Sequence, residues 1–422
     1  MALQIQRLRA SDRRYELPEA AGSDAMHPDP AYSHAVTLIE LSDGRRGTGL
    51  TFTLGRGNEV VVRAIEAYAP LVVGRDLNEI MPRFAEFWRS LADESQLRWI
   101  GPHKGAVHLA LASISAALVD LWATVQDRPL WRLMLEMTPE QLLAWTDLAY
   151  LTDMLSPADA LDLLAAGRSS DWQHHELLSQ GYPAYNTSVG WLGYDLDSVL
   201  GKCRAAVGDG FRALKLKVGS PQLEDDVRRV LAVREAVGPD VRVMIDANQR
   251  YSIDEAIRTG RALHEANLYW FEEPTHPDDI LGYQQIARGV APLRLASGEC
   301  VSNAVLFKNL IQARGIHFVQ ADVVRLGGLP EYLGVVLMAK KAGLPVAPHG
   351  GGDMGHMHQH LVAWQAIALG MEACPLEHIP HVNEHFAFPA QISAGKYQLP
   401  TQPGASLAMV DTWDPKIMDV RD

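Results

Sequence analysis

The chain has 422 residues, of which 47% are apolar and 21% charged, and a net charge of −13. That balance is ordinary for a globular protein with a large core and excludes a disordered or fibrous chain. No Lys/Arg block stands out, which argues against a nucleic-acid partner; an anionic small molecule is not excluded, because a local lysine cluster beside a cation can hold it. The N-terminal stretch MALQIQRLRASDRRYEL is polar and lacks an apolar signal core. Residues 21–32 (AGSDAMHPDPAY) are rich in Gly, Pro and Asp and predict a loop. Residues 36–41 and 49–54 predict strands joined by a turn at Ser42-Asp43-Gly44. Residues 60–71, 80–91 and 108–126 carry helical apolar spacing. The most apolar part, 109–125, is interrupted by Ser113, Ser115 and Asp120 and is expected to be too short and too polar to span a bilayer, so no membrane partner is expected. These segments make residues 1–135 an α+β unit.

From about residue 140 the texture changes. Strands are expected at 143–148, 213–218, 241–246, 269–271, 294–297, 318–321 and 345–347, with helices between them at 223–237, 253–265, 301–313 and 329–342. Such alternation predicts a parallel sheet with right-handed crossovers, and seven or eight units predict a closed barrel over 136–385. Residues 386–422 form a Pro- and Gly-containing tail expected to return to the first unit. Three widely spaced cysteines, Cys203, Cys300 and Cys374, suggest reduced thiols and a cytoplasmic protein.

Ionisable residues close these strands one after another: Lys215 and Lys217 in ALKLKVG, then Asp246, Glu272, Glu299, Asp322 and His349. From Lys217 onward the intervals are 29, 26, 27, 23 and 27 residues, the length of one strand–helix unit. The residues should therefore share one height at the carboxyl-terminal face, where barrel active sites are built. Lys215 and Lys217, two apart on a strand, point to the same side. Asp246, Glu272 and Glu299 offer an oxygen-only site suited to Mg²⁺. A metal and a neighbouring lysine can stabilise the charge that develops when a proton leaves the carbon beside a carboxylate. A histidine held by an aspartate adds an acid–base group. His356, His358 and His360 alternate, but a zinc site is set aside because the carboxylates already provide a cation site. Gly55-Arg56-Gly57 is half of a dinucleotide fingerprint and predicts only a turn.

This pattern resembles the enolase superfamily in its mandelate racemase subgroup, a system whose Lys or His base and Mg²⁺ are a known example. KxK (Lys215, Lys217), the Asp–Glu–Glu set and the Asp322–His349 pair carry the resemblance, which covers nearly the whole chain. Within it the chain resembles the L-fuconate dehydratases, through SDAMHPDPAYS at 23–33, GLTFTLGRGNE at 49–59, SQLRWIGPHKG at 95–105, YPAYNTSVGWLGY at 182–194, DANQR at 246–250, EEPTHPDD at 272–279, RLGG at 325–328 and LEH…NEHF at 376–386. The resemblance implies a modified (β/α)7β TIM-like barrel with an α+β cap completed by the tail. It implies loss of the C2 proton and the 3-hydroxyl from an aldonic acid, giving a 2-keto-3-deoxy acid sugar. Lys217 and His349, the latter oriented by Asp322, would handle protons, and Lys215 would bind the substrate carboxylate beside Mg²⁺. Racemisation or epimerisation by the same two groups is the alternative. The 23–32 loop, with Asp24 and Tyr32, would close over the substrate. Asn248, Trp191 and Glu377 are further candidate substrate contacts. A homo-oligomer is also implied. Three features depart from the fuconate pattern beside expected strand ends: GGGDMGHMHQHL after His349, Ala149 in place of Arg, and Cys300 in place of His.

Overall fold

The computed structural model describes residues 2–166 and 171–410. Near the N-terminus an antiparallel sheet runs β1 (Ile5–Arg14), β2 (Ser33–Leu41), β3 (Arg46–Thr53). The turn between β2 and β3 has Gly44 at φ 86°, a conformation that favours glycine. β1 was not expected. Its exposed arginines and aspartate hide the half-buried alternation of Leu8 and Ala10. The helix Gly105–Val125 lies so close to β3 that a Cβ at Gly49 would stand 2.0 Å from the Ser113 carbonyl oxygen. Glycine is required there for backbone to meet backbone. By length and hydropathy this 21-residue helix could cross a membrane, contrary to the expectation from 109–125, but 83% of its most apolar window is buried inside the protein.

The expected helix at 80–91 is divided. Leu77–Ile80 is one short helix and Phe84–Ala92 another, with a 3₁₀ turn at Met81–Arg83. Pro82 lacks the N–H needed to continue the first ladder. The strand expected at 143–148 is absent. Thr138 and Gln141 form a reciprocal capping box with Pro139 at the first turn, and the apolar run becomes the helix Pro139–Ala144.

A mixed sheet makes up the rest. Its parallel strands are β4 (Tyr182–Asn186), β5 (Ala213–Lys217), β6 (Arg242–Asp246), β7 (Phe271–Glu272), β8 (Leu295–Ser297), β9 (Phe318–Val319) and β10 (Leu376–His378). They lie in the order β10-β4-β5-β6-β7-β8-β9, and Val346 adds a parallel bridge to Val319 on β9. Amphipathic helices such as Leu223–Val237 and Ile253–Ala262 connect them. The hairpin of β11 (Ile392–Ser393) and β12 (Lys396–Tyr397) adds antiparallel to β4. Beyond it, Leu130 N–H donates to the Gly404 carbonyl and Ala405 N–H to Asp120 Oδ1, so the tail touches the end of the long helix.

Three buried histidines, His34, His356 and His360, contribute to acid sensitivity. His34 Nε2 faces the Gly352 carbonyl, so its Nδ1 accepts from the Tyr15 hydroxyl. His356 Nε2 accepts from Ala390 N–H, and His360 Nδ1 accepts from Trp131 N–H. Each ring is therefore neutral, and burial depresses the pKa of His34 and His356 to about 4 and of His360 to about 3. Unfolded, these rings take up protons below about pH 6.5. At these three positions the unfolded chain then binds more protons than the folded one, so their contribution to stability is lost as pH falls from about 6.5 toward 4. Each group contributes up to about 1.4 kcal/mol per pH unit in that window. In His360→Asn, whose Oδ1 can take the Trp131 N–H, the loss of urea-unfolding stability between pH 7 and pH 5 should be smaller than in the wild type; an equal loss would refute the assignment.

Candidate active site

The strand register builds the site. Lys217 pairs with Asp246, Asp246 with Glu272, and Glu272 with Ala296, so three strand ends stand level. Glu299 lies just beyond β8, Asp322 just beyond β9, and His349 three residues past the Val346 bridge. Lys215 and Lys217 point to the inner face while Leu214, Leu216 and Val218 are buried on the outer one.

Oxygen atoms of Asp246, Glu272 and Glu299 gather within 4.8 Å of one another. Lys215 Nζ, fully buried, lies 2.6 Å from Glu272 Oε1, 3.0 Å from Glu377 Oε1 and 3.5 Å from Asp246 Oδ2. Lys217 Nζ donates to Asp246 Oδ2 at 2.6 Å and to Asn248 Oδ1 at 2.9 Å. His349 Nδ1 lies 2.7 Å from Asp322 Oδ2, which leaves Nε2 facing Glu299 Oε2 at 3.2 Å and Glu377 Oε2 at 3.6 Å.

Electrostatics follow from these distances. Burial raises the Glu272 pKa, and together with the neighbouring carboxylates it takes it to about 7 against the pull of Lys215. Burial opposes ionisation of Asp246, but Lys217 and Lys215 hold it below the usual carboxylate range. Burial also disfavours the His349 imidazolium, yet Glu299 and Asp322 outweigh it and lift the pKa to about 9. Lys217 stays charged because Asp246 outweighs its burial, while Lys215 pushes the other way.

The remaining candidates are distributed around this ring. Glu377 accepts from the Thr187 hydroxyl and from Gly350 N–H. Asn248 N–H donates to Asp246 Oδ1. The Trp191 ring lies 5.6 Å from Lys217 Nζ, and its buried Nε1 has no hydrogen-bond partner among the described residues. Asp24 is occupied within its own loop, accepting from Met26 N–H and His27 N–H and pairing with the His27 ring. Tyr32 is buried, and its phenol feels the charges of Lys217, Glu377, Asp24 and Glu299. The 23–32 loop is tied to the Trp191 loop, because Leu192 N–H donates to the Ser23 carbonyl and Gly193 N–H to the Ser23 hydroxyl.

Several neighbours were not expected. Trp270 Nε1 and Gln320 Nε2 both donate to Glu272 Oε2. Gln320 shares the strand parity of Asp322, which was a usable signal. Glu273 is fully buried, accepts from Gln249 Nε2, and is held well above the carboxylate range by burial and Glu299. Cys300 packs beside Arg325, whose Nε donates to the Glu299 carbonyl and Nη1 to the Phe52 carbonyl. Ala149 is not beside a strand end. It follows Asp147, which pairs with Arg89. His356, His358 and His360 sit at the start of the buried helix His356–Leu369 and bond to different partners.

The family described as Enolase C-terminal domain-like matches residues 199–413. With this fold and this ring of groups, the chain belongs to the enolase superfamily. It is 43% identical to human mitochondrial enolase superfamily member 1 over 96% of this chain and 93% of that protein. The crystal structure of that human protein superposes with a TM-score of 0.92, covering 97% of this chain and 94% of the other. L-galactonate dehydratase of Hypocrea jecorina is 40% identical over 93% of this chain and 88% of its own length. The structure of L-talarate/galactarate dehydratase from Salmonella typhimurium LT2, liganded with Mg and L-lyxarohydroxamate, has a TM-score of 0.77 at 26% identity, covering 97% and 91%.

Proposed function

We propose that this protein is a Mg²⁺-dependent acid-sugar dehydratase, a carbon–oxygen lyase. Its substrate is an aldonate of L-galacto configuration: L-fuconate, or L-galactonate, which differs only by a hydroxyl at C6. The convergence of the Asp246, Glu272 and Glu299 oxygens beside Lys217 and His349 carries the reading. The parallel run closes as a barrel, with Glu377 on β10 accepting from Gly350 beyond the last bridge, and residues 1–135 with the tail act as its cap.

A hard, all-oxygen donor set fits Mg²⁺, and Asp246, Glu272 and Glu299 would hold it. When bound, the ion neutralises charge growing on the substrate carboxylate as the C2 proton leaves. Lys215, locked between Glu272 and Glu377, fixes positive charge beside that carboxylate. Lys217 Nζ and His349 Nε2 approach from different strands and exchange protons with C2 and with the departing 3-hydroxyl. Asp322 holds the His349 proton on Nδ1, so Nε2 is the atom that faces substrate. Tyr32 and Asp24, with Trp191, cover the mouth; Asn248 steadies Lys217.

Assay of an aldonate and aldarate panel for 2-keto product, with Mg²⁺ and with a chelator, should show turnover of L-fuconate or L-galactonate that stops on chelation. Proton exchange at C2 in D₂O without keto product would instead indicate a racemase. No turnover of any acid sugar would end the reading.

A further inference from the structure

We propose that Asp353 and His358 are positioning residues that fix the Asp322–His349 pair from behind. This rests on the reading of His349 as a proton-handling group. The segment after His349, GGGDMGHMHQHL, passes directly against the pair. A Cβ at Gly351 would stand 2.6 Å from His349 Nε2, and one at Gly352 would stand 2.4 Å from Asp322 Oδ2. Neither position admits a side chain without moving the pair. The loop is clamped from the other side, where His34 Nε2 donates to the Gly352 carbonyl.

Asp353 closes the loop. It is fully buried and accepts from Gly355, Met357 and His358 N–H groups, at 2.9, 2.6 and 3.0 Å. Its Oδ1 also takes the Nδ1 proton of His358 at 2.7 Å. His358, fully buried, receives Val323 N–H on Nε2 at 3.1 Å. A nitrogen that accepts that N–H carries a lone pair, so His358 is a neutral ring protonated on Nδ1. Val323 follows Asp322, and the next amide, Val324 N–H, donates to Asp322 Oδ1 at 2.9 Å. His358 Nε2 stands 3.6 Å from that same Oδ1, too far to bond but close enough to block rotation of the carboxylate. The chain of orientation runs Asp353, His358, the Val323 amide, the Asp322 carboxylate, His349 Nδ1. Its result is a fixed tautomer with His349 Nε2 aimed at substrate.

The two atoms of His358 can be tested separately in the full-length, Mg²⁺-loaded protein. His358→Asn keeps a donor near the Nδ1 position but offers Val323 no acceptor. His358→Gln places its carbonyl oxygen near the Nε2 position and restores that acceptor. We expect His358→Asn to lower kcat about 10- to 100-fold with KM changed less than about threefold, and His358→Gln to recover most of the loss. In ¹⁵N-histidine-labelled wild type, the resonance missing from His358→Gln should show a neutral, Nδ1-protonated ring. An Nε2-protonated or cationic ring there overturns the proposal, whatever the variants do. So does a wild-type kcat in His358→Asn, or equal loss in both variants, while His349→Asn is inactive. If His349→Asn is as active as wild type, the underlying reading fails and this proposal with it.

Discussion

Glu272→Gln is expected to abolish Mg²⁺ binding and to lower kcat/KM by more than the roughly 100-fold that loss of an outer partner of a metal ligand costs. The hydrogen bonds explain why an isosteric change is so damaging. Trp270 Nε1 and Gln320 Nε2 both donate to Glu272 Oε2, so the amide oxygen of the glutamine must take that position. Its NH₂ then replaces Oε1, which faces the Lys215 ammonium at 2.6 Å. Donor meets donor, and a ligand charge is lost. Lys215 retains Glu377, but a buried cation deprived of one of its partners costs several kcal/mol, on the order of 3–5 when the pair is broken outright. Calorimetric titration with MgCl₂ and steady-state kinetics would check both effects. Wild-type metal affinity in this variant would remove Glu272 from the ligand set.

Lys217→Ala and His349→Asn should each lower dehydration by about 10²- to 10⁴-fold, the usual worth of a positioned acid or base. They need not behave alike. Lys217 ends β5 and is held by Asp246 and Asn248; His349 follows the Val346 bridge and is held by Asp322. They reach the ring from different strands, separated by β6 to β9. Loss of the C2 base stops deuterium uptake into substrate as well as product formation. Loss of the acid alone stops product formation while exchange at C2 continues. NMR of the substrate in D₂O with each variant separates the two. If His349 performs both steps, as a syn elimination allows, His349→Asn loses both signals. A variant of either residue with wild-type turnover would remove that residue from the chemistry.

The alternation of short apolar strands with amphipathic helices and the phase of the ionisable residues were legible in the amino-acid order, because both follow from short-range spacing. A strand–helix unit has a nearly constant length, so intervals of 23 to 29 residues between Lys217 and His349 suffice to put their side chains at one face. The three carboxylates in phase pointed to Mg²⁺, and the family strings to an acid sugar. Other features were invisible for physical reasons. The capping box at Thr138 overrode an apolar run, and charge masked β1. Only tertiary packing decided that Glu273 is buried against the carboxylates, since its surroundings come from Gln249 and Glu299 in the segments after β6 and β8. The same holds for the segment after His349. Its glycines and histidines read as an unexplained loop, because what they touch, the Asp322 carboxylate and the Val323 amide, lies about 30 residues away in sequence and meets them only when β9 and the Val346 strand stand side by side. Sequence spacing fixes height along a strand; which atom faces which across strands is set by packing.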